Sequence, residues 1–307
     1  VNITGTLAGG VTPVPAGQPV MVCVEGLDGV ALGCGTVTTG NSYAVAAQWN
    51  GPATRQVKLH ALQVELDGTE HPVSYPGYTT TNLTLTDTVA VVADLNLGTA
   101  LPTTTVDVNV DTPVAITGTA ATVEFGPNLE MPVAMIGSPV TAHEFVMPVI
   151  DDARYGFFAI TGGIQAGWIS DVTGSPATVE VADVPVLVTP ADTATNVTNT
   201  TVFTAVNPTD GPQMFLWSIT GGPTIGLTTM ESSVTMPDLA GSGVTLPVAS
   251  NGNWQAIGSS GPSTEYGAAA IADLYNVLFL GLTGASPGAQ GNGTFGLSVS
   301  RTFTTAP

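Results

Sequence analysis

The chain is written in short runs of residues, either wholly apolar or alternating with polar ones, closed every few positions by Gly, Pro, Asn or Asp. Alternation places every second side chain on one face of a strand, and short apolar runs suit strands buried on both faces. Regular turn punctuation between such runs is the pattern of sandwiches and barrels. Runs at 2–7, 20–25, 31–37, 42–48, 56–66, 71–75 and 88–97 predict a first group of strands, with turns at Asp28-Gly29 and Asp67-Gly68. A second group is predicted at 106–110, 113–118, 121–125, 131–136, 144–150, 155–160 and 178–181, after a short linker at 102–105. The third group opens at 186–192 and runs to the end of the chain. Helical spacing is confined to 266–280, which reads either as one short helix or as two buried strands. The expected fold class is all-β, with two or three tandem β-sandwich domains over 1–101, 102–184 and 185–307.

Composition narrows what such a fold is for. Hydrophobic residues make up 43% of the 307, enough for real cores, whereas charged residues are only 9%. Thr, Ser, Asn, Gln and Gly must therefore cover much of the surface. Thr and Val are β-branched, which lowers helix propensity and suits a pleated surface. Lys and Arg number 4 against 23 Asp and Glu, giving a formal net charge of −19. Arg55, Lys58, Arg154 and Arg301 cannot build a basic patch, so nucleic acid and anionic lipid are excluded as partners. The most apolar window, 268–282, is interrupted by Asp273 and Asn276 and is too short to span a bilayer, so no direct membrane insertion is expected. The chain opens on Val1 rather than an initiating Met and reads as a mature or trimmed form.

Cys23 and Cys34 each fall in a short strand-like run, and their separation suits a hairpin. A disulfide across neighbouring strands is expected, which implies an oxidising, extracellular setting. The alternative is a pair of buried thiols.

Two stretches carry a family resemblance. Ile3-Thr4-Gly5-Thr6, then 17–24 (Gly-Gln-Pro-Val-Met-Val-Cys-Val), then 35–45 (Gly-Thr-Val-Thr-Thr-Gly-Asn-Ser-Tyr-Ala-Val) resemble the carboxypeptidase regulatory-like or collagen-adhesin B-type repeat. The resemblance implies a small prealbumin-like sandwich, a structural stalk module with no catalytic residues. Some members carry Lys–Asn isopeptide bonds, but Lys58 lies outside the opening strand, so none is expected. Further on, 188–197 followed by Val202-Phe203-Thr204-Ala205, Asp238-Leu239, Asn253-Trp254-Gln255-Ala256 and the terminal 301–305 resemble a bacterial fibronectin type III or immunoglobulin-like domain. That resemblance implies a second sandwich type with Trp217 or Trp254 as its core tryptophan.

Constellations that would carry chemistry are weak. His60, His71 and His143 form no metal-binding pattern, and His143-Glu144 reads as a surface dipeptide. Asp107, Asn109 and Asp111 share one strand face but lack the glycine that a Ca²⁺ loop needs at its sixth position, where Thr112 stands. Asp151-Asp152 converge only if they lie in a loop. The Gly-Ser loops at 241–243 and 258–261 lack the strand-to-helix setting of a serine nucleophile. Trp49, Tyr75, Tyr78, Trp168 and Tyr266 are candidate sugar-stacking aromatics. Asn2, Asn82, Asn196, Asn199 and Asn292 head Asn-x-Ser/Thr sequons. No catalytic residue, metal or cofactor is expected.

The reading favoured is a secreted or cell-surface structural protein, a self-assembling subunit of a fibre or sheath. Its partners are then other copies of itself or other cell-surface proteins. The candidate contact strands are Val1, Asn2, Ile3, Thr4, Gly5, Thr6 and Leu7 at one end and Arg301, Thr302, Phe303, Thr304 and Thr305 at the other, because extended terminal segments can complete a neighbour's sheet. The alternatives are a non-catalytic adhesion or glycan-binding module and, less favoured, a hydrolase acting on polysaccharides.

Overall fold

The computed structural model describes residues 1–27, 31–126, 129–162, 165–209, 211–260 and 292–307. The turn expected at Asp28-Gly29 and the helical-period segment 266–280 lie outside the described residues. The fold is all-β, as the pattern predicts; the described residues outside strands hold one 3-10 turn, Ala240–Ser242.

The first sandwich is built from β1 (Asn2–Ala8), β2 (Val20–Gly26), β3 (Ala31–Val37), β4 (Ser42–Ala46), β5 (Thr54–Leu66), β6 (Pro72–Thr86), β7 (Val91–Val92) and β8 (Leu95–Asn96). One sheet has the order β3-β2-β5-β6; the other is β4-β1-β7, with β8 also paired to β1. Ile3, Leu7, Tyr43, Val45 and Leu95 meet Val20, Val22, Val24, Val57, Leu59 and Ala61 between the sheets. The intervening residues of β2 and β5 do not face water. Cys23, Leu62 and Val64 join a second core instead. Burial on both faces explains why β2 reads as a nearly continuous apolar run, whereas β5 intersperses His60 and Gln63 among its buried apolar residues.

That second core belongs to β9 (Thr103–Asp111), β10 (Ile116–Gly126), β11 (Leu129–Ile136), β12 (Ala142–Pro148), β13 (Arg154–Thr161), β14 (Gln165–Val172) and β15 (Ala177–Glu180). Strands β12-β9-β15 form one sheet and β11-β10-β13-β14 face it. Val106, Val108, Phe145, Met147 and Val179 pack against Ala121, Val123, Met131 and Phe157. The first sandwich seals an open side of the second, with β6 against β12 and β2 against β11. Residues expected as a linker take part: Thr103–Thr105 begin β9 and pair with β12, Thr103 opposite Pro148. Their β-branched side chains suit a strand, and a partner was present to receive it.

The third group comprises β16 (Val186–Thr189), β17 (Ala194–Val197), β18 (Val202–Val206), β19 (Gln213–Ile219), β20 (Thr224–Thr229), β21 (Ser233–Thr235), β22 (Asn251–Ser260), β23 (Gly293–Leu297) and β24 (Arg301–Thr305). Sheet β16-β18-β21 covers β19, β20, β22 and β24 over a core of Phe203, Phe215, Trp217, Trp254 and Phe303. Both tryptophans are fully buried, where the sequence offered either one.

The second and third groups share a sheet. Strand β23 pairs antiparallel with β14, Trp168 opposite Gly293 and Gln165 opposite Gly296. The ladder thus runs β11-β10-β13-β14-β23-β22-β19-β20, within a ten-stranded sheet. The connection at 180–185 lies across this seam. A Cβ on Gly167 would sit 1.8 Å from the Glu180 carbonyl oxygen, one on Gly258 2.8 Å from Pro185 Cγ, and one on Gly296 3.2 Å from Val184 Cα. Three glycines on neighbouring strands open a shallow track for the connecting backbone. Gln165 Nε2 adds a hydrogen bond to the Ala182 carbonyl at 2.9 Å.

Candidate assembly surface

The two candidate contact segments are interior strands of their own sheets. Strand β1 pairs antiparallel with β4, Thr4 opposite Ala44, and parallel with β7 and β8, Ile3 opposite Val91 and Leu7 opposite Leu95. The Val1 ammonium donates to the Ala47 carbonyl at 2.9 Å. Strand β24 lies between β22 and β17, Phe303 opposite Gly252 on one side and Ala194 on the other. Neither segment offers a free edge while it stays in place, so any contact it makes with another copy requires strand exchange.

Arg301 shows how firmly β24 is held. Its Nη1 donates to the carbonyls of Val188 and Pro190, each at 2.9 Å, and Nη2 donates to that of Leu187. The guanidinium thereby occupies the outer edge of β16. Asp192 Oδ1 accepts from Thr302 N at 2.7 Å and Thr302 Oγ1 at 2.8 Å, and these bonds hold its carboxyl below the usual range. Replacing Arg301 by Gln is expected to lower unfolding stability by about 2 kcal/mol, since several charge-assisted bonds to backbone are lost. Urea denaturation of the variant beside the parent measures this, and a shift below the experimental scatter would refute it.

Cys23 and Cys34 form the expected disulfide, joining directly opposed residues of β2 and β3.

A polar node that the sequence did not disclose lies where the first sandwich meets the second. Glu25 on β2, His60 on β5 and Tyr78 on β6 share the face turned to β10. His60 Nε2 is 3.1 Å from Glu25 Oε2, and His60 Nδ1 is 3.1 Å from the Tyr78 hydroxyl. Phe125 caps them, 4.5 Å from the His60 ring and stacked on Tyr78 at 5.5 Å. Burial, with Glu25 nearby, pushes the Tyr78 hydroxyl upward. The partners are far apart in sequence, and only strand register joins them.

Of the other histidines, His71 lies at the 67–71 turn with Nδ1 2.9 Å from Thr69 Oγ1. His143 alternates with Glu144 on β12, so His143 is buried and Glu144 exposed, on opposite faces. His143 Nε2 is 2.7 Å from the Val140 carbonyl, and burial holds its pKa down. Asp107, Asn109 and Asp111 share an exposed face of β9, and Asp151-Asp152 lie exposed between β12 and β13. Among the described residues, no three His, Cys, Asp or Glu side chains gather as metal ligands. Of the candidate stacking aromatics, Tyr75 is fully buried and donates to the Val146 carbonyl, and Trp49 donates to Pro52 O. Trp168 is half-buried against Phe158 at 6.1 Å, and Tyr266 lies outside the described residues.

Glu124 on β10 is a strongly perturbed carboxyl. Its side chain crosses Gly156, where a Cβ would meet Glu124 Oε1 at 2.6 Å, and accepts from the Asp171 backbone N–H at 2.9 Å. Burial, countered in part by that bond, raises its pKa to about 7. A carboxyl raised from 4.5 to about 7 favours the fold fully below about pH 4.5, and that stabilisation is lost as pH rises through 7. Glu124→Gln, a mimic of the protonated acid, is expected to gain stability over the parent at pH 8 and match it near pH 4. Equal differences at both values would refute the assignment.

Among the described residues, a cavity of about 370 Å³ lies beside Ser218, Asn251, Asn253 and Thr302, one of about 270 Å³ beside Val197, Leu239, Leu246 and Thr305, and one of about 220 Å³ beside Val1, Trp49, Pro52 and Asp87. None of these linings holds a histidine or more than one Asp or Glu side chain.

No protein-family model matches the chain, and no curated protein matches it. Among solved structures it is similar to a candidate adhesin from Bacteroides ovatus, with a TM-score of 0.20 and 11% identity over 59% of this chain and 81% of that one. A fimbrial assembly protein from Parabacteroides distasonis gives 0.19 and 11% over 59% and 90%. The TIE protein of Bacillus anthracis gives 0.18 and 12% over 78% and 45%. Overlaps this slight assign no ligand or role. Among the described residues, no helix is long and apolar enough to cross a membrane.

Proposed function

We propose that this is a non-enzymatic structural protein of the cell surface or extracellular space, which assembles with copies of itself through β-strand contacts. The observation that carries the proposal is continuity. One sheet runs from β11 to β20 through two sandwiches, and the first sandwich is sealed onto the second by a shared core. Such a body resists bending between its parts, as a stalk or fibre subunit requires, whereas an enzyme hinged around a cleft requires the reverse. The low density of charged residues supports the same reading, because few charged side chains must be desolvated between copies, while the net −19 confines such contact to uncharged surface. So does the cross-strand disulfide, which fits an oxidising compartment. Residues 1–101, 102–184 and 185–307 are its three structural units, the first of the carboxypeptidase regulatory-like or collagen-adhesin kind and the third of the fibronectin III or immunoglobulin-like kind. Strands β1 and β24 remain candidates for exchange between copies.

The test is the size of the native material. Sedimentation velocity over a wide concentration range, with negative-stain microscopy, is expected to show concentration-dependent polymers. A monomer at every concentration would overturn the proposal.

A further inference from the structure

We infer that the free edge of β20 is a self-pairing site, at which two copies of this chain join antiparallel about Gly226; the inference rests on the self-assembly reading above and names the surface for it.

Among the described residues, strand β20 ends the ten-stranded sheet and pairs only with β19. An edge strand presents unpaired N–H and C=O groups, which proteins ordinarily guard with prolines, charges, bulges or a covering element. The other outer strands are guarded or covered. Strands β3 and β4 also lack charge and proline, but they lie against each other, where a Cβ on Gly35 would sit 2.7 Å from the Ala44 carbonyl oxygen, and β3 carries a register shift against β2. Strand β11 carries Pro132, Glu130 and two register shifts against β10. Strand β6 carries Pro76, and its outer edge is taken in part by Tyr78 N donating to Leu97 O and Leu101 N donating to Tyr75 O. Strand β12 carries Glu144 and Pro148, and the outer edge of β16 is occupied by Arg301. Strand β20 has six residues with no charge, no proline and no register shift against β19. Among the described residues, no backbone group of 224–229 bonds beyond the β19 ladder.

The sequence of this edge selects its partner. Thr224-Ile225-Gly226-Leu227-Thr228 has the same chemistry read in either direction. An isologous contact requires that self-complementarity, because each residue must suit its own symmetry mate. A two-fold axis through Gly226, normal to the sheet, sets Ile225 opposite Leu227 on the core side and Thr224 opposite Thr228 on the other. Parity is preserved, so each side chain keeps to its own face of the joined sheet. Opposed threonines and opposed aliphatics are favourable cross-strand pairs. In the same register Glu231, the nearest charge along the chain, falls opposite Gly221 and not opposite a second Glu231. Two bodies each carrying −19 thus meet along a neutral line.

The test uses the full chain and three variants. At the axis the facing Cα atoms are about 5 Å apart, within disulfide reach. A side chain on Gly226 meets only Leu216 Cδ2 at 3.4 Å and Met214 Sδ at 3.6 Å, so Gly226→Cys is tolerated. Because Cys23 and Cys34 are bonded to each other, the new thiol is the free one. Gly226→Cys is expected to give covalent dimers on a non-reducing gel under mild oxidation at least ten times faster than Thr84→Cys, an exposed control on β6. Thr224→Lys with Thr228→Lys is expected to weaken association at least tenfold by sedimentation velocity. If the parent assembles but Gly226→Cys cross-links no faster than the control, or the lysine pair leaves assembly unchanged, β20 is not the contact and self-assembly stands on another surface. If the parent is monomeric throughout, both readings fall.

Discussion

Gly167→Ala is expected to cost about 3 kcal/mol or more, far beyond the usual price of one methyl group. The new Cβ would lie 1.8 Å from the Glu180 carbonyl oxygen and 2.7 Å from its carbon, and neither belongs to a flexible side chain. Glu180 ends β15, which is laddered in parallel to β9, Glu180 opposite Asp111. Just beyond it, Val181 N donates to Asp111 O at 2.8 Å. Relief therefore means either lifting the connection off the seam or bending β14 away from β23. Both weaken the joint between the second and third sandwiches. Gly174→Ala is the control, since a Cβ there meets nothing within 4 Å, and it should shift stability by no more than about 0.5 kcal/mol. Urea titration compares the two, and hydrogen exchange locates the damage, with protection expected to fall in β14 and β23 first. Equal stability for both variants would mean that the seam is not the rigid joint described above.

The sequence discloses some of this architecture better than the rest. Strands with one wet face are plain in it: β4 alternates exposed and buried without exception, as does β9 from Val106 on. Strand β2 is plain too, because burial on both faces leaves an apolar run, and β5 shows through its alternating Val57, Leu59 and Ala61. Strand β6 is partly hidden: its polar stretch Thr79-Thr80-Thr81-Asn82 reads as loop, yet it is the long outer strand opposite β5, where polar side chains face water. Strand β14 is hidden as well, since Gly167 breaks its pattern for the sake of the connection crossing it. The seam from β14 to β23 is invisible to any local pattern, because it joins residues more than a hundred positions apart. Its trace is three glycines, Gly167, Gly258 and Gly296, which look like ordinary turn residues until the strands are aligned. The contact segments illustrate the same limit. An extended terminal run looks available in sequence, but β1 and β24 each find partners on both sides. Strand β20, an edge left open among the described residues, lies mid-chain, and its uncharged, proline-free sequence does not set it apart from the equally uncharged β19 beside it.

Trp217→Ala is expected to lower stability by about 4 kcal/mol, the range for emptying a large buried aromatic site. Trp217 stands directly opposite Trp254 on the adjoining strand. Phe203 meets both edge-on, at 5.3 and 5.2 Å, and Phe215 stacks on both at 6.0 and 6.3 Å. Removing one indole thus unseats the ring set that holds β16-β18-β21 onto the long sheet. Trp217→Phe should cost far less than the lost volume implies. Among the described residues the buried Trp217 indole N–H has no partner, and a benzyl ring removes that donor while keeping most of the stack. The damage should also travel. Strand β23 pairs with both β22 and β14, so loosening the third core deprives the second sandwich of a strand neighbour. Circular dichroism during urea titration should therefore show one broadened transition in Trp217→Ala, not an early step confined to the third sandwich. A clean early step followed by a second transition identical to the parent's would show that the shared sheet does not couple the two cores.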